Sequence, residues 1–205
     1  MLGIFNVSYA FEAAVGARAG TLGLGAELTI PLISRINARL GINSYSYDYT
    51  TSESGIDYDG ELDLSTTSLI LDWHPFNGRF RISAGYVNNN NEISLKATPT
   101  TSQVIGDNPI PYTPAQIGTL TADVGFKKNV PYVGIGWGNA VSKNKRIGLN
   151  FDIGVLLQDS PEVTLNASSG AVNLLDLAAE EAQLESDISE FDAYPVISFG
   201  ISFRF

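Results

Sequence analysis

The chain has 205 residues, 44% of them hydrophobic and 17% charged, with no cysteine, one histidine and a formal net charge of −10. That length and apolar content fit a single domain spanning residues 1–205 and exclude a mostly disordered chain, and the missing cysteines exclude a disulfide scaffold and thiolate metal sites. The acidic balance speaks against nucleic acid as a partner, because phosphate recognition needs a basic face.

No apolar run approaches the roughly 18–20 residues of a membrane helix, so any crossing must be made by strands of a closed barrel. Residues 1–10 have neither the basic start nor the apolar run of a secretory leader, which argues against export. Alternation begins early: Phe5, Val7, Tyr9 and Phe11 share one face of a short candidate strand over residues 3–11. Over residues 21–32, Leu22, Leu24, Ala26, Leu28, Ile30 and Leu32 face one way, and Thr21, Gly23, Gly25, Glu27 and Thr29 the other. After a turn at 33–36, Ala38, Leu40 and Ile42 oppose Arg39, Gly41 and Asn43, and Tyr45, Tyr47 and Tyr49 run on toward a long acidic connection. Those tyrosines suit either a filled lumen mouth or a rim that binds an apolar or sugar ligand.

The same two faces recur. Thr67, Leu69, Leu71 and Trp73 oppose Thr66, Ser68 and Asp72; Phe80, Ile82, Ala84 and Tyr86 oppose Arg79, Arg81, Ser83 and Gly85. Leu120, Ala122, Val124 and Phe126 oppose Thr121, Asp123 and Gly125; Val133, Ile135 and Trp137 oppose Gly134, Gly136 and Gly138. Ile147, Leu149, Phe151, Ile153 and Val155 oppose Gly148, Asn150, Asp152 and Gly154; a short candidate strand with Val163, Leu165 and Ala167 follows. Between residues 173 and 191, Leu174, Leu177, Leu184, Ile188 and Phe191 change to helical spacing among acidic neighbours, predicting an amphipathic helix in a loop. The chain closes with Ile197, Phe199, Ile201, Phe203 and Phe205 on one face, against Val196, Ser198, Gly200, Ser202 and Arg204.

A side-chain period of two with one apolar and one small or polar face is the pattern of a membrane-spanning barrel strand, lipid outside and lumen inside. Eight segments carry it fully. The predicted fold is therefore all-β: a closed antiparallel up-and-down transmembrane barrel of eight to ten strands, in a bacterial outer membrane. With both termini in the periplasm and the long connections outside, parity favours ten strands, adding residues 3–11 and 162–168. Trp73, Trp137, Tyr86, Tyr132 and Tyr194 are placed at strand ends as an aromatic girdle.

The chemistry of the inward faces is mainly ionic. Glu27, Asp72, Asp123 and Asp152 stand against Arg39, Arg79, Arg81, Lys127 and Arg204, a near balance that points to an ion-paired lumen. A conducting path lined by Arg39, Arg79 and Arg81 is the alternative. The acidic run Asp57, Asp59, Glu61 and Asp63 reads as a solvated loop, with a divalent-cation site as the competing reading. The one histidine, His74, sits in Trp73-His-Pro-Phe and reads as a turn residue, so no catalysis and no cofactor are expected. Lipid-modifying chemistry and a soluble lipocalin-like barrel are the remaining alternatives.

The stretches Ala19-Gly-Thr-Leu-Gly-Leu-Gly-Ala-Glu-Leu28, Trp73-His-Pro-Phe76, Phe80-Arg-Ile-Ser-Ala-Gly-Tyr86, Pro131-Tyr-Val-Gly-Ile-Gly-Trp-Gly138 and the closing Tyr194 to Phe205 resemble the small outer-membrane β-barrel proteins related to opacity proteins. That resemblance implies a Gram-negative cell envelope, contact with outer-membrane lipid and lipopolysaccharide, and a structural or surface-interaction role. It also implies that Ile197, Phe199, Ile201, Phe203 and Phe205 are read by the outer-membrane assembly machinery. A narrow channel or carrier for small solutes is the alternative role, its ligand unidentified.

Overall fold

The computed structural model describes residues 12–53, 56–142 and 145–205; the candidate strand over residues 3–11 lies outside them. Eleven strands and two helices follow one another: β1 (Ala14–Gly20), β2 (Gly23–Ile33), β3 (Ile36–Glu53), β4 (Ile56–Trp73), β5 (Phe80–Asn89), β6 (Glu92–Pro99), α1 (Pro114–Ile117), β7 (Leu120–Gly125), β8 (Asn129–Trp137), β9 (Ile147–Leu157), β10 (Glu162–Ala167), α2 (Leu174–Asp187) and β11 (Ala193–Arg204). All pairings between strands are antiparallel.

Eight of these strands close a ring. The order β1-β2-β3-β4-β5-β8-β9-β11 returns to β1, with Ala14 opposite Arg204 and Gly20 opposite Ser198. The barrel therefore has eight strands rather than ten. The parity argument for ten fails because one segment counted as a barrel strand lies outside the ring and one barrel strand was not counted: β1, whose outward residues are only Val15, Ala17 and Ala19. The segment Leu120–Gly125 is not a barrel strand, and neither is Glu162–Ala167.

Those two strands belong to a second layer of pairing. β4 is 18 residues long, roughly twice what a barrel wall needs. Its lower part, Thr66 to Trp73, pairs with β5; its upper part, Ile56 to Asp63, pairs instead with β6. β7 and β10 continue outward from β6. The upper halves of β3 and β4 thus carry a sheet extension of order β3-β4-β6-β7-β10 that stands above one side of the barrel. Eight residues at about 3.3 Å each raise it roughly 26 Å.

The extension has its own core. Ile105, Ile117, Val163, Leu165, Val172 and Leu177 form a buried cluster, with Leu184 and Ile188 packed against it. Leu177 and Leu184 of α2, with Ile188 just past its end, form an apolar stripe, so the helix read in the sequence covers the extension sheet. Asn173 caps its first turn by accepting from the Leu175 amide at 3.0 Å. Glu181 and Glu185, on the same side, accept from the Leu165 and Val163 amides at 2.6 and 3.0 Å, satisfying the free edge of β10.

Outside the ring, the apolar faces are bare. Leu40, Ile42, Leu69, Leu71, Ile135, Leu149, Ile153, Phe199, Ile201 and Phe203 are each 46–77% exposed. Such a continuous apolar belt far exceeds the few hundred Å² tolerated on a soluble monomer. With polar groups inside and apolar groups outside, the molecule is built for lipid, and the soluble lipocalin-like alternative is inverted. Trp73 and Trp137 project outward at the short-turn end and Tyr86 outward near the other. Tyr132 and Tyr194 do not join a girdle: Tyr132 is buried in the lumen, and the half-buried Tyr194 donates to the Thr21 carbonyl at 2.6 Å.

Candidate functional site: the barrel lumen and its extended rim

Inward positions alternate with outward ones on every barrel strand, so the lumen is assembled from one face of each. β1 contributes Arg18, β2 Glu27, β3 Arg39, β4 Asp72, β5 Arg81 and β9 Asp152. These three guanidiniums and three carboxylates meet in one layer. Asp152 is its centre: Arg81 Nη2 lies 2.9 Å from both of its oxygens, Arg39 donates at 3.2 and 3.4 Å, and Arg18 Nη2 is 3.6 Å away. Glu27 Oε2 accepts from Arg18 at 3.2 Å and Arg39 at 3.5 Å. Asp72 pairs ionically with Arg39 Nε at 2.7 Å and Arg81 Nε at 3.7 Å, and accepts from Ser83 at 2.6 Å.

Formally the layer is neutral. A charge unpaired in so narrow a space costs several kcal/mol, so three against three is the stable count. Glycines make room for it. A Cβ at Gly136 would lie 2.6 Å from Asp152 Oδ1 and 2.7 Å from Arg81 Nε. The repeated glycines of β8 are therefore clearance for side chains, not a phosphate loop. Packed this way, the hollow lined by Glu27, Arg39, Asp72, His74 and Arg81 has no room for a water molecule.

An apolar layer lies over the ionic one. Ile70, Val87, Val130, Tyr132, Leu156 and Val196 pack together, with Leu22 and Tyr194 against them. The Tyr132 ring crosses Gly134 and Gly154, where an added Cβ would come within 2.5 and 2.6 Å of it. Above these, Asn43 donates to Thr66 at 2.9 Å and Asn89 to Gln158 at 3.2 Å. Beneath the ionic layer, His74 closes the short-turn end. Its Nδ1 is 3.1 Å from the Gly78 carbonyl and its Nε2 is 3.1 Å from Asn37 Nδ2. The carbonyl can only accept and the amide nitrogen can only donate, so the ring is neutral with the proton on Nδ1. Burial holds its pKa below the ordinary 6.5.

The expected lumen charges separate into two groups. Glu27, Arg39, Asp72, Arg81 and Asp152 come together, and Arg18 joins them from the strand that the alternation did not reveal. Arg79, Asp123 and Lys127 do not belong, and Arg204, though on the inward row of β11, lies apart from the layer. Arg79 is exposed in the turn after β4. Asp123 lies on the extension strand β7, accepting from Ser94 at 2.7 Å. Arg204 sits half-buried at the short-turn end, one strand step below Ser202. Lys127 is exposed at the extended end and pairs with Asp159. The segment Asp57, Asp59, Glu61 and Asp63 is strand rather than loop: all four side chains line the outward face of upper β4, where Asp57 accepts from Ser52 and Asp63 from Ser46. Among the described residues no three His, Asp or Glu side chains converge on a metal position.

Charge is strongly sorted along the axis. Of 22 acidic residues, only Glu12, Glu27, Asp72 and Asp152 lie in the barrel or at its short-turn end. The other 18 occupy the extended end, with Lys96, Lys127 and Lys128 as its basic residues. Arg35, Arg79, Lys145, Arg146 and Arg204 cluster at the opposite end. The closing row Ile197, Phe199, Ile201 and Phe203 faces outward on β11, beside β1, with the exposed Phe205 just past its end; Phe199 packs on Phe151 with ring centroids 4.7 Å apart.

No protein-family model and no curated protein sequence matches the chain. Solved structures do share its fold. The crystal structure of Acinetobacter baumannii CarO2 is similar over 95% of this chain and 99% of its own, with TM-score 0.61 and 19% identity. That of Acinetobacter baumannii CarO is similar over 94% and 97%, with TM-score 0.60 and 19% identity. The likeness spans extension as well as barrel, and the architecture is that of a small outer-membrane β-barrel.

Proposed function

We propose that this chain is an integral outer-membrane protein whose lumen is a sealed structural core and whose work is done by its extracellular extension. The carrying observation is the neutral layer of Arg18, Arg39 and Arg81 with Glu27, Asp72 and Asp152 beneath an apolar layer. Each guanidinium is spent on a carboxylate, so none is offered to a passing solute. In this reading the short turns are periplasmic, the extension stands outside the cell, and the chain acts as one domain, since the extension is made of inserts between barrel strands.

The extension's 18 carboxylates against three lysines favour cationic partners over anionic ones. Asp57, Asp59, Glu61 and Asp63 face outward just above the apolar belt, which supports contact with lipopolysaccharide head groups through bridging divalent cations. The outward row ending in Phe205 supports its reading by the assembly machinery. The barrel motifs and the fold together support a place among the opacity-protein-like small barrels. A non-enzymatic role is supported by His74, whose two ring nitrogens are engaged by Gly78 and Asn37 rather than by a nucleophile.

Liposome swelling tests the sealed lumen. Vesicles carrying the folded protein should swell in isotonic glycine, arabinose or glucose no faster than empty vesicles. Swelling that ranks with solute size would replace this reading with a narrow channel.

A further inference from the structure

The barrel wall is uneven in height, and the step holds a cavity. The β1–β2 hairpin turns over at Thr21 and Leu22, whereas β3, paired with β2 up to Ser44 opposite Leu24, continues for nine more residues to Glu53. In the step lies a pocket of about 490 Å³, within the usual range for ligand sites of roughly 300–1,000 Å³. Its wall is Leu62, Leu64 and Ile93 of the extension, its floor includes Tyr194, and its outer lip is Ala19 and Leu24. Ala19 and Leu24 belong to the outward rows of β1 and β2, so the pocket opens onto the same surface that meets lipid.

The chemistry of the lining selects an apolar occupant. Of the five polar side chains around it, four are already engaged, and the fifth, Tyr45, is 44% exposed. Tyr194 donates to the Thr21 carbonyl at 2.6 Å, and Thr21 Oγ1 donates to the Pro195 carbonyl at 3.0 Å. Asn91 accepts from the Ser65 amide at 2.9 Å; Gln158 accepts from Asn89 at 3.2 Å and donates to the Phe191 carbonyl at 3.1 Å. No lysine or arginine lines the pocket, so a carboxylate or phosphate finds no counter-charge there. An apolar chain arriving from the bilayer satisfies all of these conditions, with its head group left in the leaflet.

We propose that this notch is a lateral binding site for a single acyl chain of an outer-leaflet lipid, which enters over the top of the β1–β2 hairpin. The site rests on the membrane placement of the barrel and is independent of whether the lumen conducts. The test is photo-crosslinking in nanodiscs of phosphatidylcholine carrying a diazirine near the end of one acyl chain, followed by peptide mapping. Labels are expected at Leu62, Leu64 or Ile93 in addition to the annular positions Leu40 and Ile42. Ala19→Trp, which fills the lip, should abolish the notch labels and keep the annular ones, while Ala17→Trp, one outward position lower, should keep both. Leu24→Trp serves the same purpose if Ala19→Trp does not fold. Labels at Leu40 and Ile42 but none at Leu62, Leu64 or Ile93 would overturn the site and leave the membrane placement standing. Notch labels that persist in the filled variant would also overturn it.

Discussion

Asp152 is the residue on which the ionic layer depends most, and Asp152→Asn isolates its charge with little change in shape. The carboxylate takes both oxygens' worth of contact from Arg81 at 2.9 Å and two further hydrogen bonds from Arg39. An asparagine keeps one acceptor, turns a donor toward the guanidiniums, and leaves three cations facing two anions. Removing one member of a buried ion pair costs about 3–5 kcal/mol. With a urea slope of about 2 kcal/mol per molar, the unfolding midpoint should fall by roughly 2 M. The assay is urea titration in lipid vesicles, with the folded fraction read from heat-modifiable gel mobility. The double variant Arg81→Met/Asp152→Leu restores charge balance with apolar volume, so it should lose less than Asp152→Asn alone. A single variant within about 1 kcal/mol of the parent would refute the argument, because a mutation with so small an effect cannot have left a buried charge unpaired. So would a double variant less stable than the single.

Other consequences are equally direct. Gly154→Ala places a methyl against the Tyr132 ring, 2.6 Å from its nearest atoms, and should cost about 1–3 kcal/mol; adding Tyr132→Val should recover part of that, a coupling that the same titration reads. His74 is neutral when folded and its pKa is lowered, so the unfolded chain binds the extra proton first. Stability should be full above about pH 6.5 and fall as pH drops below it, by no more than about 1.4 kcal/mol per pH unit; a matched titration of His74→Gln should lack that component. Leu177→Asp puts a charge into the extension core and should release α2 from β10: limited proteolysis should then cut the extension while the barrel keeps its heat-modifiable mobility.

How far the sequence could be read depended on what covers each strand. Seven of the barrel strands announce themselves because lipid demands large apolar residues on one face and the lumen tolerates small or polar ones on the other. β1 did not, since Val15, Ala17 and Ala19 oppose Gly16, Arg18 and Gly20, and a row of small residues gives a faint alternation. Arg18 was missed with it, although an arginine flanked by small residues just ahead of Gly20 is the signal that could have found it. β7 was misplaced for the opposite reason. Leu120, Ala122 and Val124 are covered by the extension's own packing, and a protein-covered face has the same period of two as a lipid-covered one. Arg79 and Lys127 lie just beyond strand ends, where counting by twos no longer fixes direction. The acidic run at 57–63 looked like a loop by composition, yet Tyr58 and Leu62 between its members hold it in β4.

The sealed lumen is the central claim, and single-channel recording in planar lipid bilayers tests it most directly. Folded protein inserted at low ionic strength and again at high ionic strength should give no discrete conductance steps, because the three arginine–carboxylate sets and the apolar layer above them leave no continuous water path. Reproducible discrete openings from the unmodified chain, with a size-dependent permeability to small solutes, would contradict the account.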